Sequence, residues 1–502
     1  MTRSSTSFDP SPARRAASLG PGMAWTGAAQ AMRLACQIVS VVVMSRLLDP
    51  ADFGLLAMCA PVLAFVALFQ NLGLTQATIQ KRSVTHEEVT FLFWVSVGVA
   101  CGLGALLVLV APLIALFYGE PRTAPLTAAL ALPLIAYGMS SQHYALLNRA
   151  MRFGILAAIE CVAVATGLVV GIGWAMVSPS VWALYAGTLA AAVSTTGLFW
   201  AASAWLPGRP RRVEGAGGLL RFGAGVTGFG VANFVSRNAD NVLIGRVWGD
   251  VALGFYSRAY RLLLFPLQQV NTPVAKVMLP TLSRLTDEPT AYRATFLRVQ
   301  GLVAIVAVPG VVAMIAMADT LVPLALGPKW APVVPIFAAL GFAGLFQPLN
   351  GTAHWLLVSQ GRTDEYVRLG VVTAFWSLGA FAIGIRWGPV GLAAAYAASE
   401  ALRTPFVWWY VGRSGPVGWR DTAGTLGPIL VGAAAAYLAI AELSSLLAAI
   451  HPVLRLAAAL ACSYATVALV MAAFPAGRAI LLDVTRMPLR ILADRFRPAV
   501  AR

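Results

Sequence analysis

Charge is what this sequence has least of. Only 11% of its 502 residues are Asp, Glu, Lys or Arg, against about 25% in an ordinary soluble domain. So few polar groups cannot cover a body of this size, which excludes a water-soluble globular protein. With 59% hydrophobic residues, the chain is equally far from the low hydrophobicity of disordered segments. Acidic residues number 20 and histidines four. They are scattered: no His/Asp/Glu cluster suits acid–base work, and no metal-ligand spacing or nucleophile motif occurs. The pattern therefore points away from an enzyme and from any metal or other cofactor. The five cysteines (Cys36, Cys59, Cys101, Cys161 and Cys462) lie inside apolar runs and form no CxxC pair. They are expected to be small buried hydrophobes, not a disulfide framework.

What is present is apolar sequence in lengths that suit a bilayer. A spanning helix needs about 20 mostly apolar residues. Splitting the chain at polar and Pro/Gly breaks gives about fourteen such segments, so the expectation is an all-α polytopic membrane protein. Residues 1–22 form a polar N-terminal tail with Arg3, Arg14 and Arg15. The apolar run beginning at Met23 is too long for a signal-peptide core and leads straight into further spans, so no cleavage is expected.

The basic excess orients these spans. Formal net charge is +16, from 36 Lys and Arg against 20 acids. With the N-terminus in the cytoplasm, fourteen spans place 23 of the 36 basic residues on the cytoplasmic side and six outside. A missed or invented span would scramble that alternation downstream, so the split supports fourteen spans with both termini inside. The excess is thus an orientation signal rather than the mark of a nucleic-acid partner. All outer loops are short, which leaves no extracytoplasmic domain. The basic tail from 475 to 502 has Arg486, Arg490 and Arg497 at helical spacing and either lies on an anionic inner leaflet or is a partly ordered basic tail.

An internal repeat organises the spans. Arg46 and Gly54 recur as Arg246 and Gly254, at an offset of 200. Leu116-Phe117-Tyr118-Gly119 is echoed by Leu324-Ala325-Leu326-Gly327, Ala124-Pro125 by Ala331-Pro332, and Gln142-His143-Tyr144 by Ala353-His354-Trp355. The order is kept and the offset stays near-constant. Spans 1–6 (residues 23–206) and 7–12 (220–411) then form two six-helix lobes around a central cavity. The lobes are joined by a Pro/Gly/Arg-rich cytoplasmic linker at 207–219, and spans 13 and 14 follow at 424–474. An even number of spans per lobe makes the repeats parallel, an arrangement that suits alternating access.

Several stretches carry a family resemblance. They are Met44-Ser45-Arg46-Leu47-Leu48 with Phe53-Gly54, and Leu147-Asn148-Arg149 with Arg152-Phe153. Arg237 with Asp240-Asn241 and Ile244-Gly245, and Tyr256-Ser257-Arg258-Ala259-Tyr260-Arg261 with Pro266, belong with them. Together they resemble the polysaccharide transport family, the O-antigen, capsule and exopolysaccharide flippases of the multidrug/oligosaccharidyl-lipid/polysaccharide exporter superfamily. The resemblance covers roughly residues 20–475. It implies a flippase of the bacterial inner membrane that moves undecaprenyl-pyrophosphate-linked oligosaccharide from the cytoplasmic to the outer leaflet. Membrane lipids would surround it, with a polysaccharide polymerase and export machinery as protein partners.

Charges inside the spans are the candidate site. Each costs about 2.5–3.5 kcal/mol at the bilayer centre and normally faces a cavity or a partner. Arg33 lies in span one, Arg237 and Asp240 in span seven, Arg258 and Arg261 in span eight. Arg33 matches Asn233 in the repeat, one helical turn before Arg237, so the two arginines line equivalent faces. Guanidinium forks bind phosphate oxygens bidentately, which makes Arg33, Arg237, Arg258 and Arg261 candidate pyrophosphate ligands. The plainer readings are that Arg237 pairs with Asp240, and that Arg258 and Arg261 snorkel to the outer surface. Glu160, Asp240, Glu400, His143 and His354 are the candidates for ion coupling or cavity lining. Against them stand a Glu400–Arg403 structural pair, a snorkelling Glu160, and histidines near span ends. Pro266, Pro273 and Pro280 recur every seven residues along span eight, where they interrupt backbone hydrogen bonds and either let the helix bend between access states or fix a static kink.

Three rival functions remain. A multidrug exporter of organic cations would want an acidic cavity, and this one is basic. A peptidoglycan-precursor flippase shares the cationic logic. A membrane polymerase or ligase lacks support in the catalytic residue types.

Overall fold

The structure, a computed structural model, describes residues 19–70, 74–81, 84–209, 216–446 and 449–483, without the side chains of 19–26, 28, 216–237 and 446. The N-terminal tail, the middle of the linker and the basic tail from 484 lie outside the described residues. So does the side chain of Arg237.

Fourteen long helices follow in order. They are α1 (Leu19–Leu47), α2 (Pro50–Gln70, resumed at Leu74–Gln80), α3 (His86–Tyr118) and α4 (Thr123–Ala129 continued by Ala131–Arg149). Next come α5 (Phe153–Val177) and α6 (Val181–Ser203). The run Ala216–Arg284 breaks at Gly249 (φ 81°, ψ −173°) into α7 (216–248) and α8 (250–284), with all three prolines inside α8. Then follow α9 (Pro289–Ala316), α10 (Val333–Ser359), α11 (Thr363–Gly384), α12 (Gly388–Gly412), α13 (Trp419–Leu446) and α14 (Pro452–Ala473). A short helix, Ala318–Leu326, precedes α10. No strand occurs among the described residues. In a bilayer each backbone amide must be satisfied within its own segment, and helices do this. Ten stretches of the described residues, one of them joining α11 and α12, are long and apolar enough to cross a membrane. The chain is a multi-pass membrane protein, and the fourteen helices agree with the spans expected from hydropathy.

Two compact units divide the chain at Gly254: Met1–Gly254 and Phe255–Arg502. In the first, α5 and α6 approach through small residues. A Cβ on Gly167 would lie 2.8 Å from the Gly187 carbonyl oxygen, and one on Gly187 would lie 2.8 Å from that of Gly167. Such contacts are how membrane helices gain packing where lipid is as apolar as leucine. Side chains reach across to backbone carbonyls elsewhere: Gln70 Nε2 donates to Leu134 O (2.8 Å) and Trp200 Nε1 to Met139 O (3.0 Å). In the second unit α14 docks on α9, with Ser463 Oγ donating to Pro309 O (2.8 Å) and Tyr464 OH to Val306 O (2.6 Å). Both carbonyls lie on the turn that Pro309 interrupts, since its missing N–H leaves the i−4 bond to Ile305 O unmade.

All five cysteines are free. Cys59 is buried as expected, but Cys101 is exposed on α3, because a membrane protein turns apolar side chains outward as well as inward. One repeat echo keeps a glycine at positive φ, although ψ differs between its two members (22° at Gly119, 165° at Gly327). Gly119 after α3 (φ 70°) and Gly327 before α10 (φ 105°) both adopt positive φ, where glycine carries no steric penalty.

The close α5–α6 contact makes a test. Gly187→Val should destabilise the fold by about 1–3 kcal/mol through overpacking, read as a lower thermal midpoint in detergent. Gly173→Ala, with nothing within 4 Å of its Cβ position, should leave the midpoint unchanged.

Candidate functional site

The first unit has two chemically different ends. At one, Arg122 of the α3–α4 loop bonds Glu120 and, on the α7–α8 turn, Asp250, and it acts on nearby Asp52 at the start of α2, whose Oδ2 accepts from Asp49 N. At the other, Arg149 donates to Thr78 O (2.9 Å) and to Lys81 O, closing the end of α2 onto α4. There the linker begins as a strap along α3. Trp205 Nε1 donates to His86 Nδ1 (3.0 Å), Trp94 Nε1 to Gly208 O (2.9 Å), and Gly208 N to Thr90 Oγ1 (3.3 Å).

Midway between these ends lies Arg33. It is fourteen residues from either end of α1, or about 21 Å at 1.5 Å per residue. Its Nη1 meets Glu160 Oε2 of α5 at 3.2 Å, and its Nη2 donates to Gln30 Oε1 at 2.8 Å. The neighbouring Cys161 donates from Sγ to Ala29 O (3.5 Å), so α1 and α5 touch on this face. The pair is nonetheless open, with the Arg33 and Glu160 side chains 39% and 50% exposed. A charge pair left open in mid-helix is satisfied electrostatically but can still accept another ligand. Glu160 therefore stands as the partner of Arg33, a relation the sequence did not show.

Asp240 is buried on α7, and its Oδ1 accepts from Asn241 N at 2.8 Å. In the second unit Arg258 is buried and Arg261 exposed, so the two do not share an environment despite their three-residue spacing. Glu400 is fully buried on α12. It is salt-bridged to Arg403 one turn on, and it accepts from Asn350 Nδ2 of α10 (3.2 Å), which also donates to Thr404 Oγ1 (3.0 Å). Arg403 Nη1 reaches Ser377 Oγ of α11 at 3.4 Å. Glu400 thus ties three helices together.

The two histidines sit against aromatic rings. His143 is fully buried, with Nδ1 2.8 Å from Ser203 Oγ and its ring 4.6 Å from that of Trp200. His354 lies 4.9 Å from the Tyr366 ring. Two functional-looking arginines were missed as such by sequence reasoning. Arg149 was visible only as a motif residue, and Arg122 only as one of the outer loop charges. Neither spacing nor periodicity marks a residue whose partners are distant in the chain.

Comparisons with known proteins agree with this architecture. A family model described as "Polysaccharide biosynthesis protein" matches residues 43–335. The lipopolysaccharide biosynthesis protein WzxC of Escherichia coli is 25% identical over 386 residues, 76% of this chain and 78% of that one. The succinoglycan biosynthesis transport protein ExoT of Rhizobium meliloti is 25% identical over 356 residues, 70% of each chain. Among solved structures, the lipid II flippase MurJ in an inward closed conformation superposes with a TM-score of 0.70. It is 12% identical, covering 92% of this chain and 99% of MurJ. An inward-facing multidrug resistance transporter of the MATE family gives 0.58 at 12% identity, covering 78% and 95%. At these identities the structural likeness is one of fold.

If Glu400 is a structural counter-ion, Glu400→Ala should cost about 3–5 kcal/mol by leaving the Arg403 charge without its partner. The double variant Glu400→Leu/Arg403→Leu should recover most of it. Thermal unfolding in detergent reads both, and equal instability of the two would refute the pairing.

Proposed function

The chain belongs to the polysaccharide biosynthesis protein family, and we propose on that footing that it is a lipid-linked oligosaccharide flippase, not an enzyme. Its cargo is a glycan on undecaprenyl pyrophosphate, carried from the inner to the outer leaflet of the bacterial cytoplasmic membrane by alternating access. Both termini lie in the cytoplasm. A polymerase and export machinery then use the cargo for O-antigen, capsule or exopolysaccharide. The relatives' names point to lipopolysaccharide and succinoglycan biosynthesis, and the fold likeness to MurJ supports movement of a lipid-anchored cargo.

The observation that carries this reading is the open Arg33–Glu160 pair, with Arg33 at the middle of its helix. An arginine parked on a carboxylate is a reversible anion site: an arriving pyrophosphate exchanges with Glu160 for the guanidinium, and Glu160 takes it back on release. Each state keeps the charge compensated, so neither binding nor release strands a bare cation in the bilayer. The parallel repeat assigns Arg237 to the equivalent face of the second lobe (spans 7–12). Arg258 and Arg261 are assigned as further cationic contacts. Asp240 is assigned to Arg237 as Glu160 is to Arg33. His143, His354 and Glu400 are held by packing and internal bonds, and Glu160 is the coupling candidate best placed to act.

The basic site argues against a cation exporter. A peptidoglycan-precursor flippase is the second reading, favoured by the MurJ likeness, and the relatives' names favour the polysaccharide cargo over it. Two negative charges moving outward against an inside-positive potential would be driven backward; against the usual inside-negative potential they gain about 4.6 kcal/mol per 100 mV. That is enough to drive transport without a coupled ion.

Two outcomes are expected. Arg33→Ala and Arg237→Ala should each lower polymer export more than about tenfold, the loss of a charge-assisted hydrogen bond of about 1.5–3 kcal/mol, with membrane insertion unchanged. Deleting the protein should trap lipid-linked oligosaccharide on the inner leaflet, identified by mass spectrometry. Normal export by both arginine variants would sink the site assignment, and accumulation of peptidoglycan precursor instead would select the second reading.

A further inference from the structure

The repeat places Pro50 and Gly54, at the start of α2, in register with Asp250 and Gly254, at the start of α8. In the structure these four residues meet. A Cβ on Gly54 would lie 1.8 Å from the carbonyl oxygen of Asp250, and a Cβ on Gly254 would lie 1.9 Å from that of Pro50. Each glycine therefore touches the repeat counterpart of the residue that the other touches. The contact is thus reciprocal in the register of the repeat, although the flanking side chains differ. Backbone meets backbone, with no room for any side chain at either position.

Around this contact is a polar clamp. Arg122 Nη2 lies 2.8 Å from Asp250 Oδ2, and its Nε and Nη2 lie 2.7 and 3.0 Å from the two oxygens of Glu120. The Arg122 guanidinium holds the Glu120 carboxyl below the usual carboxylate range. Gly245, the neighbour of Arg246, stands close to Tyr118, with a Cβ position 2.9 Å from Cε1. The Arg246 guanidinium carbon lies 6.0 Å from the Phe117 ring centre. The α3–α4 loop thus grips the α7–α8 turn from the side.

We propose that this reciprocal glycine contact and its Glu120–Arg122–Asp250 clamp form a latch that closes the outer end of the translocation path and parts once in every transport cycle. The proposal rests on the alternating-access reading above. Its components suit repeated opening. The glycine contact itself is bare backbone on both sides, so no side chain at either position has to be disengaged when the turns part. The Arg122 side chain is 58% exposed, and ion pairs that open to water are weak and exchange readily with it.

The test uses the full chain with its native cysteines replaced, expressed in a deletion strain. Arg122→Cys and Asp250→Cys together are bridged by a short bis-methanethiosulfonate, which dithiothreitol cleaves. Bridging should lower export at least about tenfold, as expected when one of two exchanging states is locked, and reduction should restore it. Each single-cysteine variant given the same reagent should keep the export it had before treatment. A second readout needs no cargo. Met58→Cys lies one turn inward of Gly54 and is buried. Its labelling by a membrane-impermeant maleimide from outside should rise about two- to fivefold in Arg122→Ala, the size of a weak ion pair's effect. It should rise further in Gly54→Val. Full export by the bridged protein, failure of the bridge to form, or unchanged Met58→Cys labelling in both variants would overturn the latch. If the cargo assignment is what fails, the unmodified chain does not restore export either, while the labelling differences persist.

Discussion

The cost of an uncompensated charge among apolar helices governs this protein. Few charges enter the helices, and two of them show how they are met. Glu400 is enclosed by Arg403 and Asn350, and it joins α10, α11 and α12. Arg33 is met by Glu160, but on an open face. The same requirement thus yields two outcomes. Where the pair is sealed, it is part of the framework. Where it is open, both charged side chains remain reachable from outside the helix pair, and the proposed anion site draws on that exposure.

The remaining packing follows from the absence of a hydrophobic drive between helices that are already in lipid. Close approach of glycines, as in α5 and α6, and side-chain bonds to carbonyls, as from Gln70, Trp200 and Ser463, take its place. These contacts are short, polar or made of bare backbone. Rigid helices joined by such contacts can change partners without large loss, which is what a transporter that alternates between two states needs.

The internal repeat shows which constraints outlast sequence divergence. Gly54 and Gly254 persist because a side chain at either would collide with the opposite turn. Gly119 and Gly327 persist at positive φ. His143 and His354 both end against aromatic rings. The charges are kept only in part: Arg46 recurs as Arg246, but Met58 and Pro61 stand where the second half has Arg258 and Arg261.

Helix number and length, and the positions of most helix ends, were legible in the sequence, because each depends on hydropathy and turn chemistry within one segment. The helix run 216–284 breaks at Gly249, between the seventh and eighth expected spans. The identity of the in-membrane charges was legible for the same reason. Their partnerships were not. Arg33 and Glu160 stand 127 residues apart, and Arg122 and Asp250 stand 128 apart. Arg258 and Arg261 share a spacing yet differ in burial. Local patterns determine which residues occupy a helix and which face they line. Only the packing of one helix against another decides which charge is enclosed, which stays open to a ligand, and which glycine meets a backbone from the far side of the repeat.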